Sequence, residues 1–470
     1  MVRKTLIIEQ LSELIYWGTI ELMATQLTLS FYENKIKLPQ KKGQSEWGTF
    51  KDSLRAPVHR WFTYPAGFSY KAVEHSIERF DVVRGNTIYD PFMGSGTTNL
   101  VAKTLGINSI GIEAHPFVHR IARAKLNWDI DEQRVRDFSR AVESQLIKKS
   151  KSLHEKKVSS EFPELILKCY EEKTIYDLWA LRELICENLD NDGTKEFFFV
   201  VTTSLLREVS IAATGWPYIA PNKKKTTSVD KDVLTEFLIL TKQMLGDVQA
   251  IKIWSSGKHK NSDHILVNGD SRNTEKFITS QSVDHVFTSP PYLNNFDYAD
   301  RTRLELYFWG EAKTWGEISE KIRTQLITSA TTQINRTDTR YQVLDEFRKD
   351  CPFVTKFIDD SVKQLTDIRK TKGGKKSYDL MVVGYFNDMY QIIKDVFRVL
   401  RSGSKALFVL GDSAPYGIYI PTDKIIGDIG IGLGFNSYEI EILRTRGDKW
   451  KENPQRHNVP LREGIVILTK

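Results

Sequence analysis

The segment from Thr87 to Leu126 constrains the fold more than any other part of this sequence. The apolar run TIYD stops at a glycine-rich turn, PFMGSG, and a helix-like stretch follows; SIGIE then begins a second run before another helix-like stretch. Strands that alternate with helical crossovers are typical of parallel sheets covered by helices. The pattern resumes in HILVNGD and VDHVFTSPPY, so we predict an α/β fold with a doubly wound, mostly parallel sheet.

The chain has 470 residues, which is more than one ordinary hydrophobic core holds, so we expect several structural units. The C-terminal runs EIEIL and GIVIL, joined by a long basic loop, predict an antiparallel hairpin. We predict an N-terminal helical segment, two halves of one sheet domain, two helical insertions and the C-terminal strands of the sheet. In chain order these units are 1–55 (helical segment), 56–130 (first half), 131–255 (insertion), 256–310 (second half), 311–378 (insertion) and 379–470 (C-terminal strands).

The composition restricts the cellular setting and the chemistry. There are 67 basic and 60 acidic residues, and the net charge of +7 permits a nucleic-acid partner without requiring one. The three cysteines, Cys169, Cys186 and Cys351, are far apart and lack metal-ligand spacing, so we predict no metal site and no disulfide framework. No apolar run reaches the roughly 18 residues of a membrane span, and the N-terminal apolar run is interrupted by charges. A cytoplasmic location is therefore expected.

Four of the predicted strands end in residues that could share one site: Asp90, Glu113, Asp270 and Ser289. In a doubly wound sheet, ligands bind outside the carboxyl ends of the strands, and an acid at the second strand end suits a ribose diol. The turn DPFMGSGTT allows close approach of a ligand to the backbone, but it is neither the GxGxxG fingerprint nor a P-loop. A single acid at a strand end is more often a helix cap or a surface charge, so the prediction rests on all four together.

The corner TSPPY ends its strand abruptly, because two prolines cannot donate hydrogen bonds to a sheet ladder. One interpretation is a plain strand-to-loop turn in which Tyr292 packs as a core aromatic. The other is a rigid corner that positions a substrate.

Taken together, DPFMGSGTT, GIE, GDS and TSPPY resemble the S-adenosylmethionine-dependent DNA amino-methyltransferases, which have a Rossmann-like methyltransferase fold. The resemblance covers residues 57–125 and 260–310, and more loosely 380–470. It implies S-adenosylmethionine as cofactor, double-stranded DNA with a flipped base as substrate, and a cognate restriction endonuclease as a companion. The cofactor-binding residues it implies are Phe62, Thr63, Asp90, Phe92, Gly94, Gly96, Glu113, Asp270 and Ser271.

The resemblance also implies that Ser289, Pro290, Pro291 and Tyr292 form the catalytic corner. In this family a serine before the two prolines suggests cytosine-N4 as the methylated atom, whereas Asp or Asn suggests adenine-N6. The Ser289 hydroxyl and the Pro290 carbonyl would accept hydrogens from the amine, and Tyr292 would stack on the flipped base. A serine is not a strong base near neutral pH, so catalysis would come from orientation.

Basic residues cluster around Trp450 in the loop that joins the last two predicted strands. Arg444, Arg446, Lys449 and Arg456 are candidates for DNA backbone contacts, and the alternative is a solvated loop. Which insertion reads the target sequence stays open, with 131–255 as the candidate.

Three other functions compete with cytosine methylation. The first is adenine-N6 methylation of DNA, and the second is methylation of an RNA base or a protein glutamine amide, whose enzymes usually carry Asn or Asp before the prolines. The third, from another class, is a non-catalytic DNA-binding or scaffold protein that retains the fold. The intact glycine-rich turn, Glu113, Asp270 and Ser289 argue against this last function, and no nuclease motif is evident.

Overall fold

A computed structural model describes residues 36–37, 46–64, 67–157, 162–213, 219–225, 231–294, 296–337, 341–371, 376–446 and 460–470. The predicted N-terminal helix and most of the basic loop after Arg446 lie outside these ranges.

The described residues form the following strands: β1 (Ile36–Lys37), β2 (Thr87–Asp90), β3 (Asn108–Glu113), β4 (Ala212–Ala213), β5 (Ala220–Lys224), β6 (His264–Asn268), β7 (Val283–Thr288), β8 (Leu400–Gly411), β9 (Ser437–Arg446) and β10 (Leu461–Thr469). The α-helices are α1 (Tyr70–Arg79), α2 (Thr97–Leu105), α3 (Pro116–Leu126), α4 (Glu132–Glu155), α5 (Glu164–Cys169), α6 (Glu172–Asn188), α7 (Gly193–Glu208), α8 (Val233–Trp254), α9 (Tyr298–Arg301), α10 (Arg303–Trp309), α11 (Trp315–Ile318), α12 (Asp345–Asp350), α13 (Pro352–Thr371), α14 (Tyr378–Val399) and α15 (Thr422–Gly432). Short 3₁₀ turns occur at Ser53–Arg55, His59–Trp61, Lys258–Asn261, Thr331–Gln333 and Pro415–Gly417, and a π-turn at Ser319–Arg323.

The main sheet has the order β1-β9-β10-β8-β7-β2-β3-β6. The strands β6, β3, β2, β7 and β8 run parallel, and β10 is antiparallel to both β8 and β9. The predicted parallel sheet with an antiparallel C-terminal hairpin is therefore confirmed. The edge strand β1, which pairs in parallel with β9, was not part of the prediction, because two residues are too short to show any periodicity.

Side chains that alternate along the central strands explain why both faces of the sheet are covered. In β2, Ile88 faces a core that α1 and α2 complete, whereas Tyr89 faces the core formed with α14 and α15. Phe287 and Val286 of β7 divide in the same way. Because successive side chains of a strand point to opposite faces, this apolar pattern requires helices on both sides.

Residues 131–255, the first predicted insertion, form a helical layer whose apolar core is shared with neighbouring parts of the chain. This core includes the fully buried run Phe197, Phe198 and Phe199 in α7, and it is continuous with buried residues of α3 and with Phe62 and Tyr64. The pair β4–β5 is a small antiparallel hairpin within the insertion. The insertion therefore packs directly behind one side of the sheet's carboxyl edge.

Candidate active site

A cleft opens at the carboxyl ends of β2, β3, β6 and β7, where the sequence analysis placed a shared site. It encloses about 810 Å³ of space between protein atoms, part of it open to solvent. Seven of the predicted site residues line it: Phe92, Gly94, Glu113, Asp270, Ser271, Ser289 and Pro291. Pockets in this position are typical for small organic ligands in α/β proteins.

The glycine-rich turn after β2 shapes one wall of the cleft. Gly94 has a φ of +53°, and a Cβ added there would lie 3.5 Å from the Tyr64 ring, in the space of the cleft. Gly96 has a φ of +87° and precedes the first residue of α2. A Cβ at Gly96 would lie 3.2 Å from Leu126 and 3.4 Å from Ala122, so this glycine allows close packing of α3 and does not line the cleft.

Glu113 ends β3 with its carboxylate held by the backbone. Its Oε2 accepts a hydrogen bond from the Gly94 amide at 2.9 Å, and its Oε1 accepts one from the His115 amide at 2.8 Å. Burial is the main cause that raises the pKa of Glu113 to about 7. Each carboxylate oxygen keeps one further lone pair, which can accept a hydrogen bond from a hydroxyl group of a ligand in the cleft.

Asp90 is fully buried behind the turn and does not line the cleft. Its Oδ1 accepts hydrogen bonds from the Thr288 hydroxyl at 2.5 Å and from the Phe92 amide at 3.0 Å. Burial raises the pKa of this carboxyl to about 6. Asp90 therefore joins the end of β2 to the end of β7 and fixes the start of the turn.

Asp270 and Ser271 follow β6 and line the opposite side of the cleft. The Asp270 carboxylate accepts hydrogen bonds from Arg272 Nε at 3.0 and 2.9 Å, and Arg272 also contacts Asp388 at 2.8 Å. The Ser271 hydroxyl donates to the Pro91 carbonyl at 2.5 Å. These contacts hold the loop after β6 against the glycine-rich turn.

The TSPPY corner places Ser289 at the cleft, with its hydroxyl donating to the Val409 carbonyl at 3.0 Å. That hydrogen bond uses the hydroxyl proton, so the remaining lone pairs of the oxygen can only accept. Pro290 is buried. Tyr292 is 4% exposed, and the Arg446 guanidinium lies 5.4 Å from its ring centroid. The ring of Tyr292 is therefore braced from one side by a residue that was predicted to contact DNA.

Two of the predicted DNA-contacting residues make contacts within the fold. Arg444 forms an ion pair with the buried Glu463 at 2.9 Å, and Arg446 donates to the Asp412 carbonyl at 2.5 Å as well as covering Tyr292. Lys449 and Arg456 lie outside the described residues. The structure thus brings Arg446 to the catalytic corner.

Several cleft residues are absent from the predicted set. Phe62 and Thr63 lie beside the cleft, and the residues of the same loop that line it are Tyr64, Gly67 and Phe68. The aromatic and glycine residues around Pro65 are a local sequence signal that could have indicated a role in lining the cleft. Gln325, Leu326 and Ile327 also line the cleft, but they come from the second insertion and carry no sequence signal of such a role.

Comparisons with known proteins agree with this geometry. A family model described as DNA methylase, of the N6/N4 type, matches residues 25–124. The chain is 28% identical to the type II methyltransferase M.BsoBI of Geobacillus stearothermophilus, over 90% of this chain and 87% of the relative. It is 24% identical to the type II methyltransferase M.AvaI of Nostoc sp., covering 90% and 88%, and 23% identical to M.MvaI of Kocuria varians, covering 90% and 93%.

These comparisons support the amino-methyltransferase family of DNA methylases for this chain. Members of this family use S-adenosylmethionine as methyl donor, and the cleft of this methyltransferase fits that molecule. The cradle at Gly94, the open lone pairs of Glu113 and the apolar walls formed by Phe92, Ile112 and Ile327 suit an amino-acid tail, a ribose diol and an adenine ring. The predicted cofactor is thereby confirmed at the level of the family.

Two further findings concern the described part of this methyltransferase. No cluster of His, Cys, Asp or Glu suited to a metal ion is present there. None of its helices combines the length and the apolar composition that crossing a membrane requires.

Proposed function

We propose that this methyltransferase transfers a methyl group from S-adenosylmethionine to the 4-amino group of cytosine in double-stranded DNA. The observation that carries the proposal is the Ser289 hydroxyl, which faces the cleft as an acceptor because its proton is engaged by Val409. A neutral acceptor beside the base distinguishes this corner from one that carries a carboxylate.

The cofactor-side residues would place the methyl donor against this corner. We infer that Glu113 accepts hydrogen bonds from the ribose hydroxyls and that Asp270, which lines the cleft, accepts one from the adenine amine. Asp90, Phe92 and Gly94 shape the turn for the amino-acid tail. When bound, S-adenosylmethionine supplies an electrophilic methyl group on its sulfonium sulfur.

The lone pair of the cytosine amine is delocalised into the ring, so the nitrogen is a weak nucleophile. Ser289 Oγ and the Pro290 carbonyl would each accept a hydrogen bond from one N–H group of the cytosine amine. These hydrogen bonds favour a nitrogen whose lone pair is localised. The two prolines restrict the backbone and so hold both acceptors in place. Because Ser289 is not a base, the proton leaves the nitrogen for solvent after the methyl group has been transferred.

A base within a duplex cannot reach this corner, so the proposal includes base flipping, which costs a few kcal/mol. Arg446 braces one side of Tyr292, and we propose that the other side of the ring packs against the flipped cytosine. Lys449 and Arg456 remain proposed contacts to the DNA backbone.

The relatives named above are type II methyltransferases, and most of this chain aligns with most of each. We therefore propose a role in a restriction–modification pair, with methylation at one recognition sequence that a cognate endonuclease would otherwise cleave.

Mass spectrometry of nucleosides tests the choice of base. Unmethylated duplex DNA would be incubated with the protein and methyl-labelled S-adenosylmethionine, digested, and analysed for labelled bases. We expect label in N4-methylcytosine, and none with a Gly94→Asp variant, whose side chain fills the cleft. Label in N6-methyladenine would contradict the role given to Ser289 while leaving the family and the cofactor unaffected.

A further inference from the structure

Two arginines and one glutamate form a buried charge cluster behind the cleft: Arg207 in α7, Arg301 at the end of α9 and Glu305 in α10. Arg207 Nε donates to Glu305 Oε1 at 2.6 Å, and Arg301 donates to the same oxygen at 3.3 Å. The Glu305 side chain is fully buried and that of Arg301 is 5% exposed. Two positive charges therefore share one buried negative partner, with the Arg207 side chain 18% exposed, and the desolvation cost of such a cluster offsets much of its electrostatic attraction.

Arg301 uses its second terminal nitrogen on the loop that borders the cleft. That nitrogen donates to the Thr63 carbonyl at 2.7 Å, and the guanidinium lies 5.6 Å from the centroid of the Phe62 ring. The next residue, Tyr64, lines the cleft and faces Gly94. One guanidinium group thus fixes both the backbone and the neighbouring ring of the segment that carries Tyr64.

The same short stretch of chain also reaches the turn after Glu113. Thr302 follows Arg301, and its hydroxyl lies 2.7 Å from His115 Nε2, while the His115 amide donates to Glu113. Burial lowers the pKa of His115 to about 3, so this contact involves a neutral imidazole. Residues 301–305 therefore touch both walls of the cofactor side of the cleft, and Arg207 anchors them to the first insertion.

We propose that Arg301 is a positioning residue for the methyl donor: it holds Phe62 and Thr63 so that Tyr64 closes the cleft opposite Gly94. Arg207, from the first insertion, holds Arg301 and Glu305 in turn, by the ion pair and by a hydrogen bond to the Arg301 carbonyl at 2.8 Å. The inference rests on the cofactor placement proposed above, and it is independent of which base is methylated.

Arg301→Lys and Arg301→Met test this role. Lysine keeps a charge for Glu305, but one ammonium group cannot also donate to Thr63 and cover Phe62. We expect both variants to bind S-adenosylhomocysteine roughly tenfold more weakly by calorimetry. The KM for S-adenosylmethionine should rise by about the same factor, while kcat stays within about twofold.

Arg120→Met is the matched control. Arg120 also joins the core to α7, through two hydrogen bonds of 2.8 Å to Glu196, and it also covers an aromatic ring, that of Phe199. It does not contact the loop at residues 62–64, so Arg120→Met should lower the melting temperature and leave the affinity for S-adenosylhomocysteine unchanged.

The binding measurements distinguish a wrong role for Arg301 from a wrong position of the cofactor. A folded Arg301→Lys variant with wild-type affinity overturns the inference, and so does an equal loss of affinity in Arg120→Met, which would indicate general loosening. Glu113→Ala should abolish binding in either case, and if it binds normally, the cofactor placement itself is wrong.

Discussion

Replacing Ser289 by alanine probes the proposed catalytic corner most directly, because one oxygen atom makes an observed contact within the fold and a proposed contact to the substrate. The hydroxyl donates to the Val409 carbonyl at 3.0 Å, and in the proposed mechanism its lone pairs accept a hydrogen bond from the substrate amine. Loss of the first contact should lower the free energy of unfolding by about 1 kcal/mol. Loss of the second should remove ~1–3 kcal/mol of transition-state stabilisation, or roughly ten- to hundredfold in rate.

Single-turnover methylation of a duplex, at saturating S-adenosylmethionine, measures the second effect apart from binding and product release. Ser76→Ala is a suitable control, because the buried Ser76 hydroxyl donates to the Val73 carbonyl at 2.9 Å, lies 3.3 Å from His285 Nε2 and is outside the cleft. It should cost at least as much stability and leave the rate unchanged. A single-turnover rate for Ser289→Ala within about twofold of the wild type would refute the acceptor role.

Three further predictions concern the cofactor and DNA sides of the site. Burial raises the pKa of Glu113 to about 7, and ribose hydroxyls donate best to the ionised carboxylate. The affinity for S-adenosylhomocysteine, measured by calorimetry, should therefore rise as the pH rises through that value. The Glu113→Gln variant should bind more weakly, and its affinity should not show this rise. Gly96→Ala should destabilise the protein by roughly 1–2 kcal/mol, because the residue has a φ of +87° and packs on α3. Gly94→Ala, at a φ of +53°, should cost a similar amount of stability and should in addition weaken ligand binding, because its new Cβ enters the cleft; thermal melts with and without S-adenosylhomocysteine separate the two. Arg446→Met should slow methylation roughly threefold to tenfold without changing the salt dependence of DNA binding, because Arg446 covers Tyr292. Lys449→Ala should instead reduce the slope of that salt dependence by about 1. A reduced slope for Arg446→Met and an unchanged slope for Lys449→Ala would place Arg446 on the DNA.

The strand ends that form the cleft were predictable because their signals are local. Glu113, Asp270 and Ser289 each follow an apolar run directly, and parallel strands bring their carboxyl ends to one edge of a sheet. Asp90 was also predicted, but only the structure shows that it supports the turn from behind the cleft. Its hydrogen-bond partner Thr288 is distant in the sequence.

Other parts of the site depend on contacts that no local pattern contains. In the sequence, Arg446 is one basic residue among several in a loop. It lies over Tyr292 only because β10 pairs with both β9 and β8 in the sheet. In the same way, Arg301 looks like an ordinary charged residue of a short helix until the fold places it against Thr63. Charged side chains of this kind are predicted as solvated because their partners are remote in sequence.

The pairing of β2 with β7 has a consequence for how the chain acquires its fold. The hydrogen bond between Thr288 and Asp90 joins residues that are 198 positions apart. The two halves of the sheet can therefore pair only when the chain between them, including the whole first insertion, has closed into a loop. Closing so long a segment is entropically unfavourable, and domains rich in such distant contacts fold slowly. Residues from both halves of the sheet line the cleft, so a ligand that binds only the finished cleft stabilises the folded state by mass action, by about 2.7 kcal/mol at a concentration 100 times its dissociation constant. The supply of methyl donor in the cell would thus influence how long each newly made copy of this chain remains folded, in addition to how fast it works.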